Sequence, residues 1–458
     1  MLIQGGQILT ATGPTPADVL VQDGLITAVG TGLKPEGDLV DATGRWIMPG
    51  AVDVHTHFGM PLDKGLGNGL NSLSWADSSA AAVLGGTTTV IDFANPSVGE
   101  PLAAAVARWR ALGDGHTLCD YGLHVTVTDT SAERLAEIPA LLAEGLPTFK
   151  GFLAYKGRLM LTSTQMKTLM SAVRAAGGRL LVHAEDGEMN AEAQDVLLNV
   201  GRTGANYHPL AHPAESEIKA VDEVLAMAND TGCPLTVVHM SLEASVELLR
   251  AARRVPNPAP LNGEVCLHHL FADESLYDAG HEAALGAICS PPLRPAANGP
   301  KLLAALAAGD LDFLSTDHCE FCLRDKAAAA AGGFHEVPNG CGGVGERLVL
   351  SHSLAVVPGN LSLERWQDVI CARPADLMGL HGRKGRLAPG YDADVVLFDP
   401  TPEYRWEPLG PSDRAGSIWA GTPVQGQVTD VWLRGSRVVN GARLVPDQPG
   451  GMFLPRQF

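Results

Sequence analysis

The stretch Val52-Asp53-Val54-His55-Thr56-His57-Phe58 follows the apolar run Trp46-Ile47-Met48-Pro49-Gly50-Ala51. Alternate residues of a β-strand point to one face. If this run is a strand, His55 and His57 leave its end in one direction. The pair is then either two ligands of one metal ion or two unrelated histidines. The rest of the chain decides between them.

Downstream, short apolar runs alternate with Ala/Leu-rich helical stretches. Strand candidates begin near residues 51, 87, 120, 148, 179, 234, 263 and 312. Eight β/α units over about 300 residues predict a (β/α)8 TIM barrel. Residues 1–50 read differently, as short strands broken by the turn dipeptides Gly5-Gly6 and Asp23-Gly24. Asp-Gly between alternating apolar residues is a hairpin signal. Strands return after about residue 385, in Ala393–Phe398 and Thr429–Arg434. The two ends are expected to pair into one small β-sandwich domain. The division is then 1–50 and 385–458 for that domain and 51–384 for the barrel.

A barrel carries its active site at the C-terminal ends of its strands. Strand one ends in His55 and His57, strand four in Lys150, strand five in His183, strand six in His239 and strand eight in Asp317. Any one of these alone reads more readily as structural than as a ligand. Together they predict a metal site. Imidazole and carboxylate donors without thiolate suit a catalytic zinc-class ion. Lys150 lies in Phe149-Lys150-Gly151-Phe152-Leu153. Burial and nearby cations favour the neutral amine, which reacts with carbon dioxide to give a carbamate able to bridge two metals.

Of 458 residues, 45% are hydrophobic and 18% charged, and the net charge is -18. That charge gives no electrostatic footprint for nucleic acid or anionic lipid. No apolar run approaches the roughly 18 residues of a membrane span, and the N-terminus has no secretory pattern. Eight scattered cysteines fit reduced thiols in a cytoplasm.

These residues resemble the amidohydrolase superfamily and, within it, the cyclic amidases (dihydropyrimidinases and hydantoinases). The likeness runs over nearly the whole chain. It includes Asp41-Ala42-Thr43-Gly44, Met48-Pro49-Gly50, Gly85-Gly86-Thr87-Thr88, His183-Ala184-Glu185, and Lys384–Gly390 with Asp392-Ala393-Asp394. Phe149–Lys156, Ser290-Pro291-Pro292-Leu293-Arg294, Asp317-His318-Cys319 and Val337-Pro338-Asn339-Gly340 resemble the narrower branch.

The resemblance implies two divalent ions, Zn2+ or else Mn2+ or Co2+, with carbon dioxide supplying an N6-carboxylated Lys150. One ion takes His55, His57, Lys150 and Asp317; the other takes Lys150, His183 and His239. A bridging hydroxide opens dihydropyrimidine or 5-substituted hydantoin rings to N-carbamoyl amino acids. Asp317 moves the proton, Tyr155 stabilises the oxyanion, and Ser290 and Asn339 hold the amide edge through backbone groups. The family further implies a homotetramer acting on a small cyclic amide. The alternatives are an allantoinase or dihydroorotase and, in another class, a non-catalytic dihydropyrimidinase-like assembly protein. Retention of every ligand speaks against the last.

Weaker signals have simpler readings. Gly340–Gly345 matches G-x-G-x-x-G but follows Pro-Asn rather than a strand, so it reads as a loop near the substrate. Cys319 and Cys322 form a lone pair without a partner pair. His268, His269 and His318 lie near the rim as outer groups or packing. Met60, Phe152 and Leu159 are candidates to meet the ring substituent.

Overall fold

The computed structural model describes every residue except 36, 63–69, 410–416 and 448–449. Both chain ends build one sheet. Its strands are β1 (Leu2–Thr10), β2 (Gly13–Gln22), β3 (Leu25–Gly30), β4 (Leu39–Asp41) and β5 (Trp46–Pro49). The barrel strands follow: β6 (Ala51–Thr56), β7 (Thr87–Ala94), β8 (Asp120–Thr126), β9 (Thr148–Phe152), β10 (Arg179–His183), β11 (Leu235–Val237), β12 (Leu261–Cys266) and β13 (Phe313–Ser315). The terminal sheet is then completed by β14 (Val395–Arg405), β15 (Pro423–Leu433), β16 (Ser436–Asn440) and β17 (Arg443–Leu444).

The terminal sheet has the order β17-β16-β15-β14-β5-β1-β2-β3, with β4 also on β1. β14 and β5 run antiparallel from Val395↔Pro49 to Phe398↔Trp46, so residues far apart in sequence become neighbours. Two local expectations resolve differently. The hairpin at Asp23-Gly24 forms, joining Gln22↔Leu25 with both turn residues at positive φ. Gly5-Gly6 is no turn. β1 runs straight through it with a register shift between Ile3 and Gly6, and Gly5 takes φ 77°. The glycine pair makes a bulge in one long strand.

The other sheet holds β6 to β13, all parallel and in sequence order. Its two edges meet just above the strands, where His57 N bonds His318 O (2.8 Å) and His318 N bonds His55 O (3.3 Å). Val52 and Val54 of β6, Ile91 and Phe93 of β7, Leu181 of β10 and Phe313 of β13 share one buried cluster. β7 and β10 are not sheet neighbours, so side chains meeting across them fill the barrel interior. Each such side chain contributes roughly 1.5–3 kcal/mol.

Two junctions join barrel and sheet. Gly50 stands between β5 and β6, where a Cβ would lie 2.1 Å from Thr88 Oγ1, so only glycine fits. Lys384 is fully buried, its Nζ 2.7 Å from Asp120, 2.9 Å from Asp392 and 2.8 Å from Asp394. Asp120 begins β8 and the other two precede β14, so one ammonium ties barrel to sheet. This gives the Lys384…Asp392-Ala393-Asp394 motif a structural cause.

The last residues leave the terminal sheet. Tyr121 N bonds Met452 O, Leu454 N bonds Tyr121 O, and Arg456 N bonds Gly145 O. The buried Arg456 guanidinium reaches the Met378 and Leu123 carbonyls and Thr148 Oγ1. Leu454 joins the same cluster as the barrel-interior residues.

Candidate functional site

The barrel strands deliver the residues singled out in the sequence to one place, Lys150 from the middle of β9 rather than from its end as the sequence suggests. A cavity of about 150 Å3 is lined by His55, His57, Lys150, His183, His239 and Asp317, together with Tyr155, Ser290 and Asn339. All nine residues expected from the sequence converge there. β11 stops at Val237 and β13 at Ser315, shorter than the sequence suggests. His239 and Asp317 therefore sit two residues past their strands, at φ 38° and 47°, and Tyr155 has φ 64°. Left-handed backbone at a residue other than glycine costs about 1–3 kcal/mol and persists where the surroundings impose it. Three such residues around one cavity mark it as functional.

The two histidines of the opening stretch do point together. His55 Nε2 and His57 Nε2 each lie 3.1 Å from Asp317 Oδ1. Burial works against charge on His55, yet the Glu264 and Asp317 carboxylates raise it to about 9. Burial likewise opposes ionisation of Asp317, but His55 and His57 hold its carboxyl well below the usual range. Burial pushes the His57 and His183 imidazoles down, and that of His239 well down. Neutral imidazole is the ligand form.

Lys150 is 1% exposed. Its Nζ faces aromatic rings, 5.1 Å from the Phe93 centroid and 5.0 Å from that of Phe152. Burial pushes the amine down to about 8, within reach of the neutral, nucleophilic form. Burial pushes the Tyr155 phenol up, and Ser290 and Asn339 lie within hydrogen-bonding reach of it. The phenol therefore stays a hydrogen-bond donor at neutral pH.

The donor set fits a metal centre. The ligand atoms of His55, His57 and Asp317 lie within 4.8 Å of one another. His57 Nδ1 and His239 Nδ1 are buried with no hydrogen-bond partner among the described residues. Such orphaned nitrogens are costly unless something ligates them.

Two carboxylates that sequence reasoning left without a role hold the imidazoles. Glu264 on β12 takes the His55 Nδ1 contact at 2.7 Å and a bond from Ser315 Oγ at 2.5 Å. Glu185 Oε2 meets His183 Nε2 at 2.5 Å and Ser290 Oγ at 2.6 Å; its Oε1 meets His212 Nδ1 at 2.8 Å. Both glutamates are fully buried. Although burial opposes it, His212 and His183 hold the Glu185 carboxyl well below its ordinary value. A carboxylate on the far ring nitrogen fixes the tautomer and aims the other nitrogen.

Met60, Phe152 and Leu159 line the cavity, joined by Leu62, Asn95 and Arg108. Gly340 also borders it, packed so tightly that a Cβ would meet Cys319 O at 2.1 Å. His318 serves packing: its Nδ1 accepts from Gly343 N at 3.2 Å and Nε2 meets Ser78 Oγ at 3.3 Å. His268 and His269 do not line the cavity.

The chain belongs to the amidohydrolase family, whose model matches residues 46–438. That family is metal-dependent, and His55, His57 and Asp317 form a group that could hold a metal ion. Within it, the relatives place the chain in the hydantoinase and dihydropyrimidinase branch of cyclic amide hydrolases. It is 35% identical to a D-hydantoinase of Streptomyces coelicolor over 463 residues, covering 99% of this chain and 97% of the relative. A solved D-hydantoinase structure superposes with a TM-score of 0.95 at 32% identity, covering 100% of this chain and 98% of the other. The crystal structure of dihydropyrimidinase from Brevibacillus agri gives 0.94 at 31% identity, over 99% and 98%. Among the described residues no helix is long and apolar enough to cross a membrane.

Proposed function

We propose that the protein opens dihydropyrimidine or 5-substituted hydantoin rings to N-carbamoyl amino acids by metal-dependent hydrolysis. The observation that carries this is the meeting of six ligand-type side chains with Tyr155, Ser290 and Asn339 in one small cavity.

One ion would be held by His55, His57, Lys150 and Asp317 and a second by Lys150, His183 and His239, with Lys150 carried as its N6-carboxy derivative. Two bound divalent ions, Zn2+ before Mn2+ or Co2+, supply an acidified water and a Lewis acid for the ring carbonyl. The neutral amine that burial favours at Lys150 supports the carbamate.

Asp317 takes the proton from the attacking water and gives it to the ring nitrogen as the C–N bond breaks. The carbonyl carbon keeps the hydroxyl as carboxylate, and the nitrogen leaves as the carbamoyl amide. The Tyr155 phenol donates to the oxygen that gains charge, a role supported by the burial that keeps it protonated. Backbone groups at Ser290 and Asn339 hold the amide edge. Met60, Phe152 and Leu159 exclude water and meet the ring substituent.

The same reading takes the chain as a cytoplasmic homotetramer. None of the eight cysteines is joined in a disulfide, which supports a reducing compartment. It also divides the chain near residues 50 and 385, supported by β5 and β14 lying in the terminal sheet while β6 begins the barrel.

The test is ring opening of dihydrouracil, phenylhydantoin, allantoin and dihydroorotate by zinc- or manganese-loaded protein, beside Asp317→Ala. Turnover of the first two, lost in the variant, is expected. Turnover of allantoin or dihydroorotate alone would overturn the substrate assignment and keep the metal site.

A further inference from the structure

Just outside the cavity, at the end of β12, lies a second donor cluster. Cys266 ends the strand and a short helix, Leu267–Phe271, follows at once. Leu267 and Leu270 are buried in the main core and anchor that helix. Cys266, His268 and His269 are 0%, 2% and 4% exposed. A ligand atom from each lies within 4.8 Å of the others, and the two imidazole centroids are 4.2 Å apart.

The tautomer of His269 is fixed by its partner. Its Nε2 lies 3.1 Å from the Pro291 carbonyl oxygen. A carbonyl only accepts, so Nε2 carries the hydrogen and Nδ1 carries the lone pair. That Nδ1 is buried with no hydrogen-bond partner among the described residues. A hydrogen bond on one ring nitrogen with a bare lone pair on the other is how a metal-ligating histidine is prepared.

We infer that Cys266, His268 and His269 form a second metal site, binding one zinc-class divalent ion such as Zn2+ or Cd2+ through one sulfur and two nitrogens. One thiolate and two imidazoles leave the fourth position of a tetrahedral ion open. The set differs in kind from the catalytic one, which holds no sulfur, and none of the three residues lines the catalytic cavity. On binding, the S–H bond breaks, its proton leaves to the buffer and a sulfur–metal bond forms.

Occupancy has a consequence at the catalytic site. The Cys266 thiol donates to Glu264 Oε1 at 3.4 Å, the same oxygen that meets His55 Nδ1 at 2.7 Å. Metal binding removes that donor and sets a cation near the carboxylate that positions His55. The filled site therefore lowers turnover. The loss of turnover rests on the cyclic-amidase reading; the binding itself does not.

The experiment titrates CdCl2 into the enzyme with its own catalytic ions in place. The sulfur-to-cadmium charge-transfer band reports thiolate coordination, which none of the proposed catalytic ligands can give. One equivalent of band with proton release is expected for the wild type and for Cys322→Ser. Cys266→Ser should lose the band, and His269→Gln should bind roughly 100-fold more weakly. Gln can still donate to the Pro291 carbonyl, so His269→Gln keeps the local fold, checked by thermal melting. No band in the wild type, or an undiminished band in Cys266→Ser, overturns the site. Ring opening is followed in the same samples. Loss of turnover with cadmium in the wild type but not in Cys266→Ser supports the coupling, and equal loss in both overturns it. Absence of turnover in every sample counts against the cyclic-amidase reading, while the band still decides whether the second site binds metal.

Discussion

Glu185→Gln measures how far the proposed metal centre depends on a side chain outside its ligand set. Glu185 Oε2 meets His183 Nε2 and Ser290 Oγ at 2.5 and 2.6 Å, and Oε1 meets His212 Nδ1 and Asn190 Nδ2 at 2.8 and 3.3 Å. Glutamine keeps the shape but offers one oxygen and one NH2. The oxygen can serve only one of the two pairs. Ser290 is able to rotate its hydroxyl, but His183 must present its other nitrogen to the cavity, so the oxygen stays on the His183 side. His212, with 14% of its side chain exposed, can change tautomer and accept from the new NH2. Asn190 must turn its amide to offer its Oδ1, unpartnered among the described residues, to the new NH2 and so gives up its Nδ2 contact with His212. One buried contact reversed in this way costs about 1–3 kcal/mol of stability. Loss of the anionic partner of His183 weakens metal binding or activity about 10–100-fold. Metal content after dialysis against a buffered chelator and turnover should fall together, with excess metal restoring part of the rate. The urea midpoint should drop without a change in m-value. Metal affinity and turnover within about twofold of wild type would falsify the positioning role.

Other perturbations separate the remaining groups. Tyr155→Phe should lower kcat about 10²–10³-fold with little change in KM. Because burial lifts the phenol above its ordinary value near 10, the wild-type rate should show no alkaline limb from Tyr155 below about pH 10; finding one would remove it as the donor. Lys150→Ala should abolish metal-dependent turnover, and added short carboxylic acids should restore part of it by standing in for the carbamate; full activity with two metals bound would refute the bridging role. Burial pushes His208 down to about 3 while its Nε2 bonds Cys289 O at 2.7 Å. A folded value below the unfolded one of about 6.5 means the contribution is complete above that pH and is lost as pH falls towards 3. It changes by about 1.4 kcal/mol per pH unit in that window. The wild-type urea midpoint should therefore fall more than that of His208→Gln between pH 7 and pH 5.

The strands and the residues that meet in the cavity were readable because each is announced locally. A barrel strand is a short apolar run, and a polar residue ending it stands out, as His183 does after Leu180-Leu181-Val182. Gly5-Gly6 misled because a bulge and a turn ask for the same residue, and only pairing with β2 distinguishes them. The two positioning glutamates carried weaker signals. Glu264 lies inside β12, where a carboxylate breaks the apolar pattern without naming its partner. That partner, His55, lies 209 residues away. Glu185 was visible as part of His183-Ala184-Glu185, but its bonds to His212 and Ser290 depend on loops that only the fold brings together. The tail segment gave too little signal, since Met452-Phe453-Leu454 is apolar but too short to announce which surface it covers.

That tail sets an order of events. Arg456 bonds the Leu123 carbonyl across 333 residues and Thr148 across 308. Contacts so distant in sequence close late, because the loop between them must lose its entropy first. While the chain is being synthesised, β6 to β10 emerge long before Arg456 does. Their shared interior must wait, with the Leu123 carbonyl lacking that donor, until the segment around Arg456 arrives. The early half of the barrel thus completes its interior contacts only after Phe313 of β13, and then the segment around Arg456, have followed it.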